Sequence, residues 1–312
     1  MTSWLLLLGG LAILSLGAEF LVRGSAALAL RLGLTPLVVG LTVVGFGTSS
    51  PEMVVSVKGA LAGQGDLAVG NVVGSNIFNI AVILGMTVLI KPIKIGLQLI
   101  KLDTPIMIGA ALLFIALIWD GSISRPEAAL FFALLVAYLV FTVRAARKES
   151  KNIQEEFSHE LPKADSPVWL NSLYIVLGLA GLIFGGQMFI NGSVALARVW
   201  GISDVIIALT VLAAGTSMPE LATSIIAALR KNPDIAIGNI IGSNIFNTLG
   251  ILGVSGMLAP IHAPGISHVD LWLMVGISFL LVPLMLTGFT LRRWEGGILL
   301  SIYGGYLWHL WP

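Results

Sequence analysis

Two glutamates lie inside apolar runs of this sequence, each closing the same short pattern. The first copy is Gly47-Thr48-Ser49-Ser50-Pro51-Glu52 and the second is Gly215-Thr216-Ser217-Met218-Pro219-Glu220. An ionised side chain at bilayer depth costs roughly 3 kcal/mol or more. Placement in the first turn of a helix returns at most ~1 kcal/mol of that, and a helix cap needs only the Ser. Two such glutamates therefore point to a bound cation. Proline lacks an N–H and disfavours helix at the preceding residue, and Gly47 loosens the backbone just upstream. The pattern predicts a helix that breaks and restarts, with Ser50 as cap and Pro51 at the first helical position. Carbonyls freed by such a break are tolerated in lipid only where they line a cavity or bind something.

A second duplicated motif follows each glutamate. Gly70-Asn71-x-x-Gly74-Ser75-Asn76-Ile77-Phe78-Asn79 has its mate in Gly238-Asn239-x-x-Gly242-Ser243-Asn244-Ile245-Phe246-Asn247. The glycines Gly70, Gly74, Gly238 and Gly242 fit close helix approach. Packing does not account for two Asn and a Ser in one turn. Ser75 and Asn79 are four apart and share a helix face, as do Ser243 and Asn247. These faces are expected to point at the glutamates. The assembled donors would all be oxygen: two carboxylates, backbone carbonyls, Ser hydroxyls and Asn amides. Hard cations such as Ca2+ and Na+ take this set, and soft metals do not. Two carboxylates balance one Ca2+ and repel anions.

Both motifs belong to one duplication at an offset of 168 (220 − 52). From Gly45/Ala213 to Gly85/Gly253, 21 of 41 pairs are identical without a gap, mostly at Gly, Ser, Thr, Pro, Glu and Asn. The chain around them has 57% hydrophobic and 11% charged residues and a mean hydropathy of +0.98. Soluble domains carry about 25% charged residues, so the solvent for this surface is lipid. A net charge of +1 gives no argument for nucleic acid, and a chain without Cys has neither disulfides nor thiolate metal sites. The N-terminus, Met1 to Phe20, has the apolar core of a signal peptide but no Lys or Arg before it, which suits a first transmembrane helix.

Ten apolar segments are predicted, at about 3–30, 35–62, 67–90, 103–119, 126–143, 169–198, 203–229, 235–258, 269–287 and 294–311. The polar stretch from Arg144 to Pro167 divides them into five and five. The expected fold is therefore an all-α membrane protein with a first five-helix repeat at 1–143, a cytoplasmic linker at 144–168 and a second repeat at 169–312. With that linker in the cytoplasm, fourteen of the 17 Lys and Arg fall at cytoplasmic ends, and only Lys58, Arg125 and Arg198 fall outside. Both termini are then external. Five is odd, so the second repeat enters the membrane upside down. Such inverted repeats meet near the midplane, where broken helices build the site.

At these residues the chain resembles the cation/calcium exchanger superfamily, in particular its archaeal and bacterial sodium/calcium exchangers. The resemblance spans the ten-segment plan and is strongest in the paired GTSxPE and GNxxGSNIFN motifs. It implies Ca2+/Na+ antiport by alternating access, with no resident cofactor. It implies a central calcium position made by Glu52 and Glu220 with the carbonyls of Thr48 and Thr216. Sodium positions would use Ser49, Ser75, Ser217 and Ser243 with backbone oxygens near Gly45 and Ala213, and Asn79 and Asn247 would border a middle position. It also implies that the first and sixth segments slide against the remaining bundle. Sodium-coupled members often carry Asp at the position of Asn247. Here both copies carry Asn, leaving two carboxylates rather than three. The proton-coupled branch also relies on a glutamate pair, which keeps H+ as the alternative coupling ion, while the duplicated Thr-Ser favours Na+.

Other classes fare less well. A cation channel could use carbonyls and a glutamate pair, but channels assemble around an oligomer axis, and here one chain supplies both halves of the site. A membrane hydrolase would need a catalytic set that is missing: no HExxH, no Ser/His/Asp set and no second Asp beside Gly63-Gln64-Gly65-Asp66. The expectation is a non-enzymatic, multi-pass protein of the plasma membrane that works as a monomer in the lipid bilayer. Glu19 and Arg23, four apart and not duplicated, read as an ion pair at a helix end. Asp66 and Asp234 read as N-caps.

Overall fold

The computed structural model describes residues 2–32, 34–157, 167–200 and 213–310. Apolar runs too long for a soluble core become long helices, because in lipid each backbone donor must be met within its own segment. Helix α1 spans Thr2–Leu32. Pro36–Thr48 (α2) and Ser50–Leu61 (α3) form one apolar run bent by 48°. Gly65–Ile90 (α4) and Leu99–Ile118 (α5) follow. Arg125–Phe157 (α6) continues as helix well past its apolar part and into the charged stretch expected as linker. The second half holds α7 (Val168–Val199), α8 (Ala213–Thr216), α9 (Met218–Leu229), α10 (Pro233–Leu258), α11 (His268–Leu286) and α12 (Arg293–Leu310).

Seven of the described helices are long and apolar enough to cross a membrane, or eight with the bent α2–α3 pair. The fold is an all-helical multi-pass membrane protein. Of the ten expected segments, α9 and α12 are shorter or less apolar helices outside that number, and positions 203–212 of the seventh lie outside the described residues. Among the described residues four π-helical stretches widen the helices: Gly40–Val44 ahead of the first break, Asn79–Leu84, Leu99–Asp103 and Phe246–Ile251. Wide turns of this kind aim side chains that a regular helix would turn away.

The inversion is visible in two small sheets. Strands β1 (Ile93–Lys94), β2 (Ser122–Ile123), β3 (Ile261–His262) and β4 (Thr290–Leu291) pair as β1 with β4 and β2 with β3, antiparallel in both cases. The 168 offset carries β1 onto β3 and β2 onto β4. Each sheet thus joins one strand from each repeat. Around β1–β4, Lys91 Nζ donates to the Ala228 carbonyl at 2.9 Å and an Arg293 guanidinium N–H to that of Ile90 at 3.4 Å. These bonds also cross between repeats, at the end expected to face the cytoplasm. Near β2–β3, the Gly265 N–H donates to Asp66 Oδ1 at 2.9 Å. Asp66 is therefore not the N-cap of its own helix, which Gln64 precedes without a side-chain cap. Asp234 is likewise inside its helix, after Asn232 and Pro233.

Helices α1 and α7 pack antiparallel along a glycine seam. Gly10, Gly17 and Gly24 recur every seven residues on α1, and Gly178, Gly185 and Gly192 on α7. Seven residues bring the chain back near the same face. A Cβ on Gly17 would lie 2.8 Å from the Leu182 nitrogen, and one on Gly178 would lie 2.6 Å from that of Leu21. Glu19 of α1 pairs with Arg23, as its spacing implies, and also with Arg230 beyond the end of α9 at 2.7 Å. A further pair of ties is repeated: Tyr138 Oη donates to Asp103 and Tyr306 Oη to Asp270, each at 3.0 Å. The tyrosines obey the 168 offset, but the aspartates miss it by one residue. The π turn at Leu99–Asp103 takes up the extra residue.

The seam predicts that Gly17→Ala and Gly178→Ala each lower the melting temperature in detergent by several degrees, since overpacking costs about 1–3 kcal/mol. Gly304→Ala, on an exposed face with an open Cβ position among the described residues, leaves it unchanged. Unaltered melting of both seam variants would show that the close approach does not hold.

Candidate cation site

The two breaks lie against each other inside the bundle. Pro51 has no N–H to offer the Gly47 carbonyl, and Pro219 has none for Gly215, so both helices stop and restart at a Ser. The restart differs from the expected one. Ser49, not Ser50, precedes α3, at φ −81° and ψ 8°, with Pro51 second in the helix. The Ser49 hydroxyl makes no cap bond and instead donates to Glu220 Oε1 of the other repeat at 2.8 Å. Ser217 returns the arrangement by donating to Glu52 Oε1 at 3.0 Å. Ser50 turns away and bonds the Phe46 carbonyl. Both glutamates are buried, as are Ser49 and Ser217, and the two carboxylates are close enough for their charges to interact. Among the described residues no Lys or Arg pairs with either.

Each carboxylate thus takes a serine hydroxyl on Oε1 from the opposite repeat. Glu52 Oε2 and Glu220 Oε2 remain buried without a hydrogen-bond partner. Ser75 joins the same cluster, its hydroxyl oxygen 3.4 Å from that of Ser217. Its mate Ser243 donates to the Gly45 carbonyl at 3.4 Å, an oxygen that also accepts the Ser49 N–H at 3.2 Å. Gly45, in α2, packs against α10: a Cβ there would meet the Ser243 nitrogen at 3.1 Å. Ala213 opens the described turn Ala213–Thr216, and the Thr216 and Thr48 positions end the two upstream helices.

The asparagines form a second crossed set. Asn247 Nδ2 donates to Asn76 Oδ1 at 3.2 Å, and Asn79 Nδ2 reaches Asn244 Oδ1 at 3.5 Å. The offset maps one contact onto the other. Asn76 Nδ2 goes on to Thr248 Oγ1 at 2.9 Å. Asn79 Oδ1 and Asn247 Oδ1 stay buried and unpartnered. A deprotonated Asp at 247 could not donate to Asn76, so the amide has a use here that a carboxylate lacks. Glu52 Oε2, Glu220 Oε2, Asn79 Oδ1 and Asn247 Oδ1 are related in two pairs by the repeat, and Asn244 Nδ2 beside them is also buried without a partner. Buried polar groups call for a partner, and a hard cation is one that carboxylate and amide oxygens take.

Helix packing brings the halves this close. A Cβ on Gly238 would lie 2.8 Å from the Leu37 carbonyl oxygen, and one on Gly242 would lie 2.5 Å from that of Leu41. These two glycines have the packing role expected of them. Gly70 and Gly74 meet no close neighbour among the described residues; the positions equivalent to Leu37 and Leu41, Val205 and Leu209, lie outside those residues. Sequence reasoning passed over Asn71, Asn239, Ser56 and Ser224. Asn71 Nδ2 donates to Ser56 Oγ and the Glu52 carbonyl at 2.9 and 3.1 Å, and Asn239 Nδ2 to Ser224 Oγ and the Glu220 carbonyl at 3.0 and 3.3 Å. Their identity in both repeats was the available signal.

Inverted repeats, paired broken helices and an all-oxygen cluster between them define a secondary-transporter fold. Residues 2–144 and 170–311 match the sodium/calcium exchanger protein family, and the chain belongs to that family. It is 40% identical to the putative antiporter CaxA of Alkalimonas amylolytica over 304 residues, covering 95% of each chain. It is 33% identical to the sodium/calcium exchanger MaX1 of Methanosarcina acetivorans over 340 aligned positions, covering 98% of this chain and 97% of that one. A solved structure of the sodium-calcium exchanger NCX_Mj, soaked with Na+ and Ca2+, superimposes with a TM-score of 0.83 at 29% identity, covering 100% and 99%.

The crossed hydroxyls predict that Ser49→Ala and Ser217→Ala weaken Ca2+ binding by similar factors, roughly tenfold or more, since a hydrogen bond to a charged group contributes ~1.5–3 kcal/mol. Ser50→Ala leaves binding at the wild-type level. Equilibrium binding of radiolabelled Ca2+ in detergent checks this, and an equal loss in all three variants would count against the assignment.

Proposed function

We propose that this protein is a secondary antiporter that exchanges Ca2+ for Na+ across the membrane by alternating access. The observation that carries the reading is the crossed Ser49–Glu220 and Ser217–Glu52 pair. It leaves one free oxygen on each carboxylate inside a buried cluster fed by both repeats. Glu52 and Glu220 would hold Ca2+ with the carbonyls of Thr48 and Thr216. Ser49, Ser75, Ser217 and Ser243, with backbone oxygens at Gly45 and Ala213, would hold Na+, and Asn79 and Asn247 would face the middle position. Two carboxylates match one Ca2+ in charge, and removing that ion leaves them mutually repelled in low dielectric. Replacement by Na+ therefore stabilises the emptied site, which is the basis of exchange. Family membership and the relatives named as sodium/calcium exchangers support Na+ over H+ as coupling ion.

The reading includes two five-helix repeats, 1–143 and 169–312, joined by a cytoplasmic linker at 144–168, with both termini external in the plasma membrane. One chain would suffice for transport, without a resident cofactor and without enzymatic chemistry.

In proteoliposomes, an outward Na+ gradient should drive Ca2+ uptake, while a pH gradient alone should not. Glu52→Gln and Glu220→Gln, each of which removes one of the two charges, should reduce that uptake to the level of empty vesicles. Uptake driven only by the pH gradient would select the proton-coupled reading. Uptake indifferent to every counter-ion gradient would select a channel.

A further inference from the structure

The duplicated asparagines fall into two kinds. Asn79 and Asn247 each leave the amide oxygen free, as a side chain facing cargo would. Asn239 has every amide function engaged. Its Nδ2 donates to Ser224 Oγ at 3.0 Å and to the Glu220 carbonyl at 3.3 Å, and its Oδ1 accepts the Thr48 hydroxyl at 3.0 Å. Asn239 is fully buried, and Thr48 lies 191 residues away in the opposite repeat. The neighbouring Ser49 donates to the carboxylate of the same Glu220. Thr48, Ser49, Glu220 and Asn239 thus close a ring. Two consecutive residues of the first break are held by the second repeat, one through the glutamate's carboxylate and one through the amide bonded to that glutamate's backbone.

We propose that Asn239, and Asn71 at the equivalent place in the first repeat, are positioning residues for cation exchange. They fix the helix-break backbone so that oxygens from both repeats converge. This rests on the antiporter reading for its cargo but not for its geometry. The chemistry of the position is specific. One short side chain must supply two donors and one acceptor in a plane, which Asn does and Asp, Leu or Ser do not. Asn71 shows the same two donor bonds, to Ser56 Oγ at 2.9 Å and the Glu52 carbonyl at 3.1 Å. The Thr48 hydroxyl also lies 3.4 Å from the Gly45 carbonyl. Without Asn239 it is free to turn there and take the adjacent backbone with it. Oxygen ligands bind Ca2+ at about 2.3–2.6 Å, and a displacement of about 1 Å at a site is enough to lose much of its effect.

The experiment compares Asn239→Ala, Asn71→Ala, Thr48→Val, Thr48→Ser and the double variant Asn239→Ala/Thr48→Val. Na+-driven Ca2+ uptake is measured against Ca2+ concentration, alongside equilibrium Ca2+ binding in detergent. Asn239→Ala and Asn71→Ala should raise the KM for Ca2+ about tenfold, with the maximal rate per folded protein within about twofold, and Kd should rise by the same factor. Thr48→Val, which is nearly isosteric and spares the backbone carbonyl, should reproduce the Asn239→Ala shift. Thr48→Ser, which keeps the hydroxyl, should restore near-wild-type KM. The double variant should be no worse than either single one, because both remove the same interaction. Unchanged KM and Kd with only a lower melting temperature would make Asn239 a structural residue and overturn the proposal, as would additive shifts in the double variant. Should the wild type bind Ca2+ but fail to exchange it for Na+, the antiporter reading falls, and the Kd comparison still decides the positioning role.

Discussion

Two carboxylates share a water-poor interior with no Lys or Arg among the described residues to neutralise them. That constraint organises the molecule. Charges in low dielectric interact strongly at short range, and an unpartnered buried charge is far costlier than a paired one. The chain answers with hydroxyls from the opposite repeat, Ser49 for Glu220 and Ser217 for Glu52. Neither half can satisfy its own glutamate in this way. The site is thereby a property of the contact between repeats, and whatever separates the repeats also removes the donors.

The surrounding architecture reads as a means of keeping that contact. Each small sheet takes one strand from each repeat. Gly238 and Gly242 let α10 lie on the backbone of α2 at distances no side chain would allow. The α1–α7 pair is different. Its heptad glycines make a smooth backbone-to-backbone seam, while the polar network of the site draws its hydrogen bonds from α2, α3, α4, α9 and α10. The pair is set apart from the ion-binding cluster by its composition. It is tied to the end of α9 by the Glu19–Arg230 bond, which the repeat does not duplicate: the 168 offset puts Gln187 and Asn191 where Glu19 and Arg23 stand.

Several local readings failed for one physical reason. Ser50 looks like a cap because it directly precedes Pro-Glu, yet Ser49 breaks the helix, and its hydroxyl is drawn to a buried carboxylate instead of an amide. Asp66 looks like a cap because it opens a helix, yet it is used by Gly265 in the other repeat. In each case a short-range propensity of about 1 kcal/mol was outweighed by a partner more than 150 residues away. Asn71 and Asn239 were passed over for the converse reason. Their neighbours Ser75, Asn79, Ser243 and Asn247 have the look of ligands, whereas a side chain saturated by backbone and hydroxyl partners has no separate mark in a sequence.

By itself the sequence determined the lipid solvent, the duplication, the helix breaks at Pro51 and Pro219, and the oxygen-rich character of the site. These follow from composition, from the chemistry of proline and from the residue types repeated at 168, all of which are local or countable. Only the tertiary structure decided which hydroxyl serves which glutamate, that the asparagines pair Asn247 with Asn76 and Asn79 with Asn244, and that Asn239 reaches Thr48. Those pairings are set by how two antiparallel repeats dock. Docking depends on glycine contacts and π turns that shift side chains by a fraction of a turn, and no spacing within either repeat encodes it.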